Sequence, residues 1–216
     1  MEYAPKGDLF DLLCNFNQMP IFLARSYARQ MAEAIAYIHE EGIAHRDIKL
    51  ENFLLDANFS IKLADFGAAC KAEKGQLFCD KVGTAQYLAP EQHNNERYDA
   101  FEVDIFSLGV TIFTLVAGNM PFSEASKEEE FYVNFINESP EIFWDMHEEL
   151  MGSASENPYF SKEFRDLING MLCNDASQRM TIQEVLNHPW LRVKPECIAK
   201  SGEIVAEFYK KRKGGL

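Results

Sequence analysis

"HRDIKLEN", residues 45–52, decides how this chain is read. Arg46, Asp47, Lys49, Glu51 and Asn52 crowd into eight positions directly after an apolar helical run. Upstream, "PIFLARSYARQMAEAIAYIHEEG" (20–42) predicts a long helix, with Pro20 in its first turn and Gly42 at its end. Ile21, Ala24, Ala28, Met31, Ala32 and Ile35 form its expected apolar stripe. Residues 8–16 predict a shorter helix before it. Downstream, "FLLD" (53–56) and "IKLAD" (61–65) flank "ANFS" and predict a hairpin. Residues 66–98 show no period and predict a long loop, and long loops in compact domains are usually functional. "EVDIFSLGVTIFTLVA" (102–117) is apolar nearly all round and belongs in a core. Shorter helices are expected near 127–138, 161–172 and 181–186. The expected fold is mainly α, with one short β-hairpin beside 45–52.

The 216 residues are 47% hydrophobic, which suits one well-filled domain. No apolar run is expected to reach transmembrane length without interruption by charge. "MEYAPKGDLF" has neither the basic nor the apolar region of a signal peptide. Cys14, Cys70, Cys79, Cys173 and Cys197 are scattered and form no CxxC pair, so reduced thiols and a cytoplasmic location are expected. The net charge is −13, yet residues 192–216 carry seven Lys/Arg against three Glu. An acidic body disfavours nucleic acid and suits basic partners, although solubility alone also accounts for it.

Phosphoryl transfer needs a carboxylate to orient a hydroxyl, a cation to offset phosphoryl charge and hard oxygen ligands for Mg²⁺. Asp47, Lys49 and Asn52 supply those three types, and Asp65 follows in "DFG" (65–67) after a predicted strand. With "APE" (89–91), Asp104 and Arg179 in the same order, the set resembles the protein kinase family across almost the whole chain. The resemblance implies a kinase large lobe over 1–191, followed by a partly helical basic tail over 192–216. It implies that Asp47 orients the hydroxyl, that Lys49 contacts the γ-phosphate of ATP, and that Asn52 and Asp65 hold Mg²⁺. Glu91 is expected to pair with Arg179, and Asp104 to accept hydrogen bonds from the backbone at His45 and Arg46. Lys49 and Thr84 in "VGTAQYLAPE" resemble the serine/threonine branch.

Asp80 in "CDKVGT" stands where kinases switched on by phosphorylation usually carry Thr. This looks like the calcium-dependent and calcium/calmodulin-dependent group, where a fixed Asp pairs with the Arg of HRD, here Arg46. A plain surface Asp is the alternative. Asp8 and Glu51 match positions where basophilic kinases read Arg. Residues 124–156 add ten Asp/Glu against one Lys. Basic protein substrates are therefore expected, with stringency lowered by Thr114 where stricter relatives carry Glu. A solvated acidic face is the alternative.

In the same comparison Met1 falls at the gatekeeper position and Glu2 to Ala4 at the hinge that holds adenine, with Leu54 on the pocket floor and His45 and Phe66 in the column linking the lobes. The 216 residues contain no G-x-G-x-x-G loop and no V-A-I-K lysine. The resemblance is thus to a kinase with its small lobe missing, in need of that lobe for activity. A kinase-like module that only docks substrates or partners is the second reading. A small-molecule phosphotransferase is disfavoured by the intact "GTAQYLAPE". In the tail, Ile204, Val205 and Phe208 are expected on one helical face before the basic run 210–213. A calmodulin or other regulator site is one reading of it and an ordinary terminal helix the other.

Overall fold

Asp8 starts the fold by capping helix α1 (Leu9–Cys14), its Oδ1 accepting from the Asp11 N–H at 2.7 Å. The computed structural model describes residues 2–16, 19–136, 141–151 and 160–213. Helix α2 (Ile21–Glu40) follows. Pro20 is its N-cap rather than a first-turn residue, and Gly42 lies just past its end at φ 70°. The expected stripe needs one correction. Ile21 is exposed at the open N-terminal end, while Leu23, Tyr27 and Ile38 join the buried face.

Strand β1 (Ile43–Ala44) leads into residues 45–52, and β2 (Phe53–Leu55) pairs antiparallel with β3 (Ile61–Leu63), as the hairpin pattern predicts. The expected long loop is more ordered than its lack of period suggests. It holds β4 (Cys70–Lys71), which pairs with β1, and β5 (Leu77–Phe78), which pairs with β6 (Tyr98–Asp99). Two-residue strands leave no alternation to read, because their partners come from far along the chain. The short α3 (Pro90–His93) sits between β5 and β6.

Helix α4 (Ala100–Ala117) is the axle of the lobe. Asp99 caps its start by accepting from the Phe101 N–H, and Gly118 at φ 77° ends it. By length and composition this helix could cross a membrane, contrary to the sequence expectation, but 83% of it is buried inside the lobe. Helices α2 and α7 (Lys162–Met171) pack directly on it, α6 (Glu141–Leu150) meets it through aromatic rings, α5 (Glu130–Ile136) packs on α6, and α8 (Ile182–Asn187) packs on α2. The α6 helix is a finding. Its acidic residues mask a buried face of Phe143, Trp144 and His147. Phe113 of α4 meets that face, with ring centroids 5.7 Å from Phe143 and 4.7 Å from His147.

The tail forms α9 (Pro195–Lys213), which packs on α2. Val205 is buried and Phe208 stacks on Phe16 at 4.1 Å, whereas Ile204 is exposed and does not share their face. A Cβ on Gly202 would lie 2.1 Å from the Asn58 carbonyl oxygen, so only glycine allows this approach. Cys14, Cys70, Cys79 and Cys173 are free thiols, while the side chain of Cys197 lies outside the described part.

His147 donates from Nε2 to the Pro121 carbonyl at 2.9 Å, and its buried Nδ1 has no hydrogen-bond partner among the described residues. Burial therefore pushes its pKa down, against the smaller pulls of that carbonyl and of Glu129. A depressed folded pKa means that the unfolded chain binds the proton first. The stability is present above the ordinary histidine value and is lost as pH falls from there through the folded pKa. The melting temperature should drop between pH 7.5 and 5.5, and His147→Gln should flatten that slope. A slope unchanged in the variant would assign the loss to other groups, such as His93, whose pKa burial also lowers.

Candidate active site

The 45–52 segment is fastened from below. Asp104 on α4 is fully buried, and its carboxylate accepts from the His45 N–H at 2.8 Å and the Arg46 N–H at 2.7 Å. Asp104 also lies 2.9 Å from His39 Nε2. The His45 ring bonds the Ala64 carbonyl through Nε2 at 2.9 Å and accepts the Asp47 N–H at Nδ1. Those two bonds together require the Nε2–H tautomer. Arg46 takes φ 63°, uncommon for a side chain of its size.

The Arg46 side chain crosses to the 66–98 segment. Its Nε donates to the Ala68 carbonyl at 2.8 Å, and its Nη1 reaches both Asp80 oxygens at 2.8 and 3.1 Å. Tyr98 donates to the Asp80 carbonyl oxygen at 2.9 Å. Burial works against the Asp80 carboxylate, but the Arg46 charge prevails and holds its pKa below the ordinary value.

Asp47 is the centre of a closed network. Lys49 Nζ donates to Asp47 Oδ2 at 2.8 Å and to Thr84 Oγ1 at 2.8 Å. Thr84 donates to Asp47 Oδ1 from its N–H at 3.0 Å and its hydroxyl at 2.7 Å. Asn52 Nδ2 donates to the Asp47 carbonyl at 2.7 Å and approaches Oδ2 at 3.3 Å. Burial alone would raise the Asp47 pKa, yet the Lys49 and Thr84 donors outweigh it, so the carboxylate stays ionised. Asn52 spends its nitrogen here, and its Oδ1 makes no hydrogen bond among the described residues. Asp65, exposed and at φ 58°, accepts from the Gly67 N–H at 3.2 Å. Asn52 and Asp65 offer hard oxygen donors of the kind Mg²⁺ takes, so the donor set fits that ion.

A family model described as protein kinase domain matches residues 1–191. The chain belongs to this family. It is 35% identical over 207 residues to CBL-interacting protein kinase 11 of Oryza sativa subsp. japonica, an alignment covering 94% of this chain and 38% of that protein. It is 34% identical over 201 residues to the probable serine/threonine-protein kinase MARK-C of Dictyostelium discoideum, covering 93% and 24% respectively. It is 35% identical over 191 residues to human NUAK family SNF1-like kinase 1, covering 88% and 26%. The chain thus spans well under half the length of these relatives.

Other kinase-motif residues fall as follows. Glu91 and Arg179 form a buried two-pronged pair, Nη1 to Oε1 at 2.8 Å and Nη2 to Oε2 at 3.0 Å. Arg179 also donates to the Cys173 and Glu102 carbonyls. Phe66 is exposed on its outer side, and its ring meets His45 edge-on at 5.0 Å. Residues 6–8 run along β2, with Leu54 half-buried opposite Asp8. Glu2 is exposed and lies 3.4 Å from Lys62, Ala4 is half-buried, and Met1 lies outside the described residues. Glu51 is exposed. Thr114 is buried, its hydroxyl donating to the Val110 carbonyl at 2.8 Å.

His39, Tyr98 and Tyr87 escaped the sequence reading. His39 lies in the last turn of α2, where nothing local points to Asp104. Tyr87 is buried, with its hydroxyl pKa raised by burial and by the nearby Glu51 and Asp47. No local pattern announces either tyrosine.

Gly83 makes the Thr84 contact with Asp47 possible. It sits at φ 105°, and a Cβ there would be 2.6 Å from the Arg46 carbonyl oxygen. Gly83→Ala should cost about 2–3 kcal/mol, and lower the melting temperature by roughly 5–10 °C. A calorimetric scan within a degree of the parent would show that the segment shifts freely at this point.

Proposed function

We propose that this kinase domain transfers the γ-phosphoryl group of ATP to serine or threonine hydroxyls of protein substrates in the cytoplasm. The Asp47–Lys49–Thr84 network carries the proposal. An ionised Asp47 is placed to accept a hydroxyl hydrogen bond and its proton, and the Lys49 ammonium beside it offsets charge on the phosphoryl group. Asn52 Oδ1 and the Asp65 carboxylate are the residues that would hold Mg²⁺, which, when bound, neutralises charge on the nucleotide phosphates. Thr84 bonds Asp47 and Lys49 together, so the segment that meets the substrate also sets the base. Glu51, exposed near Asp47 and Tyr87, and the Oδ2 of Asp8 favour basic residues in the substrate. The acidic 124–156 stretch adds to that field, although 137–140 and 152–156 lie outside the described residues.

Two points refine the proposal. The adenine contacts assigned to Glu2, Ala4 and Leu54 need a roof, and the 216 residues hold no glycine-rich loop or V-A-I-K lysine. By themselves these residues are proposed to bind Mg-ATP weakly and to phosphorylate peptides negligibly. Docking of partners is their alternative role. Titration calorimetry with Mg-ATP checks this, and micromolar affinity would overturn it. Next, the likeness to the calcium-dependent group rests on Asp80. Because Val205 and Phe208 face the lobe, calmodulin or another regulator would have to detach α9 to read them.

The Asp80 charge gives a direct test in protein that also carries the glycine-rich loop and lysine. The Asp80 side chain is half exposed, so solvent screening limits its pair with Arg46 to about 1 kcal/mol. Asp80→Asn should therefore lower kcat/KM roughly fivefold, while phosphatase treatment leaves the parent unchanged. Asp47→Asn should abolish transfer in a protein that still melts cooperatively. An active Asp47→Asn protein would sink the proposed mechanism. Phosphatase-sensitive activity would sink the role of Asp80 alone.

A further inference from the structure

A cavity of ≈ 370 Å³ opens between the end of α2, the start of α4 and the 176–182 turn, away from Asp47. Phe101, Ile105, Met180 and Ile182 give it an apolar wall, and Asp99 and Glu102 stand in the same lining. We propose that this cavity docks a segment of a partner protein that carries an Arg or Lys next to an apolar side chain.

The argument starts from Glu102. Its carboxylate is half-buried, yet it makes no hydrogen bond and no ion pair among the described residues. Burial pushes its pKa up, and neighbouring Asp99, Glu91 and Asp175 push in the same direction, with Arg179 opposing. Arg179 makes no bond to this carboxylate, its three nitrogens being turned to Glu91 and to the Cys173 and Glu102 carbonyls. Lys74 is exposed at the same rim and pairs with neither carboxylate among the described residues. Asp99 is engaged by the Phe101 and Gly75 N–H groups. The cavity therefore couples an apolar wall to a half-buried carboxylate that has no bonded partner among the described residues, which an incoming cation would supply.

A protein segment fits better than a small metabolite on charge. The whole chain is at −13, so a basic partner is steered toward this lobe before contact. One apolar side chain can fill the wall while the adjacent cation meets Glu102. The walls also include His39 and Arg179, which hold Asp104 and Glu91. An occupant would thus touch the supports of both the catalytic loop and the substrate loop.

The test uses the 216-residue chain, isotopically labelled, and two probes: acetyl-Ala-Leu-Arg-Phe-Ala-amide and its counterpart with Glu in place of Arg. The Arg peptide should shift the amide resonances of Phe101, Glu102 and Ile182 saturably, and the Glu peptide should not. Glu102→Gln, which keeps shape and fold, should weaken binding about tenfold, and Ile182→Ala should weaken it through the apolar wall. Equal response to both peptides, or to neither, would overturn the proposal. So would shifts confined to the surroundings of Glu51 and Asp8, which would mark the substrate groove. Phenethylammonium binding as tightly as the peptide would reassign the cavity to a small molecule. Shifts at these residues that grow with protein concentration alone would reassign it to a second copy of the chain.

Discussion

The Asp104 carboxylate is the constraint on which the site depends. A buried charge of this kind costs several kcal/mol unless donors surround it. Here the donors are the backbone of His45 and Arg46, so the same bonds that satisfy the carboxylate also fix the 45–52 segment. Arg46 is thereby held in a left-handed conformation that its own backbone would not choose. From that posture its side chain reaches Ala68 and Asp80, and the next residue, Asp47, faces Thr84. Helix α4 can bear this load because it is the most deeply buried element of the lobe.

The Glu91–Arg179 pair does a related task at longer range. It joins the start of α3 to a turn 88 positions further along the chain. Such buried pairs add little net stability over apolar packing, but loss of one partner strands a charge at about 3–5 kcal/mol. The pair therefore acts as a registration device. With Arg179 also holding the Glu102 carbonyl, α4, α3 and the 176–182 turn share one fastening.

Much of this was legible in the sequence where the signal is local. The apolar run of α4, the 53–63 hairpin and the ordered HRD, DFG and APE motifs each fit within a few turns of chain. The reading failed where a partner lies far away. β4, β5 and β6 are two residues long and exist only through their pairing. His39 and Tyr98 take their meaning from Asp104 and Asp80, 65 and 18 positions away. Periodicity puts Ile21 on the apolar stripe of α2 and Ile204 on one face with Val205 and Phe208, but both are exposed. In α6 the acidic residues on the outer side drew the reading away from the aromatic side.

Gly202 gives the tail helix a mechanical character. It is pressed against the Asn58 carbonyl, so the pivot of α9 is backbone on backbone, with no side chain to yield. From there the helix runs eleven residues to Lys213, a lever arm of about 16 Å. A tilt of about 10° at the pivot would swing the far end by roughly 3 Å over that arm. Such a tilt would also have to part Phe208 from Phe16, so the 56–60 turn and the ring stack together set the course of the helix. The 53–63 hairpin and the helix that carries the basic run 210–213 meet where one methyl group is missing.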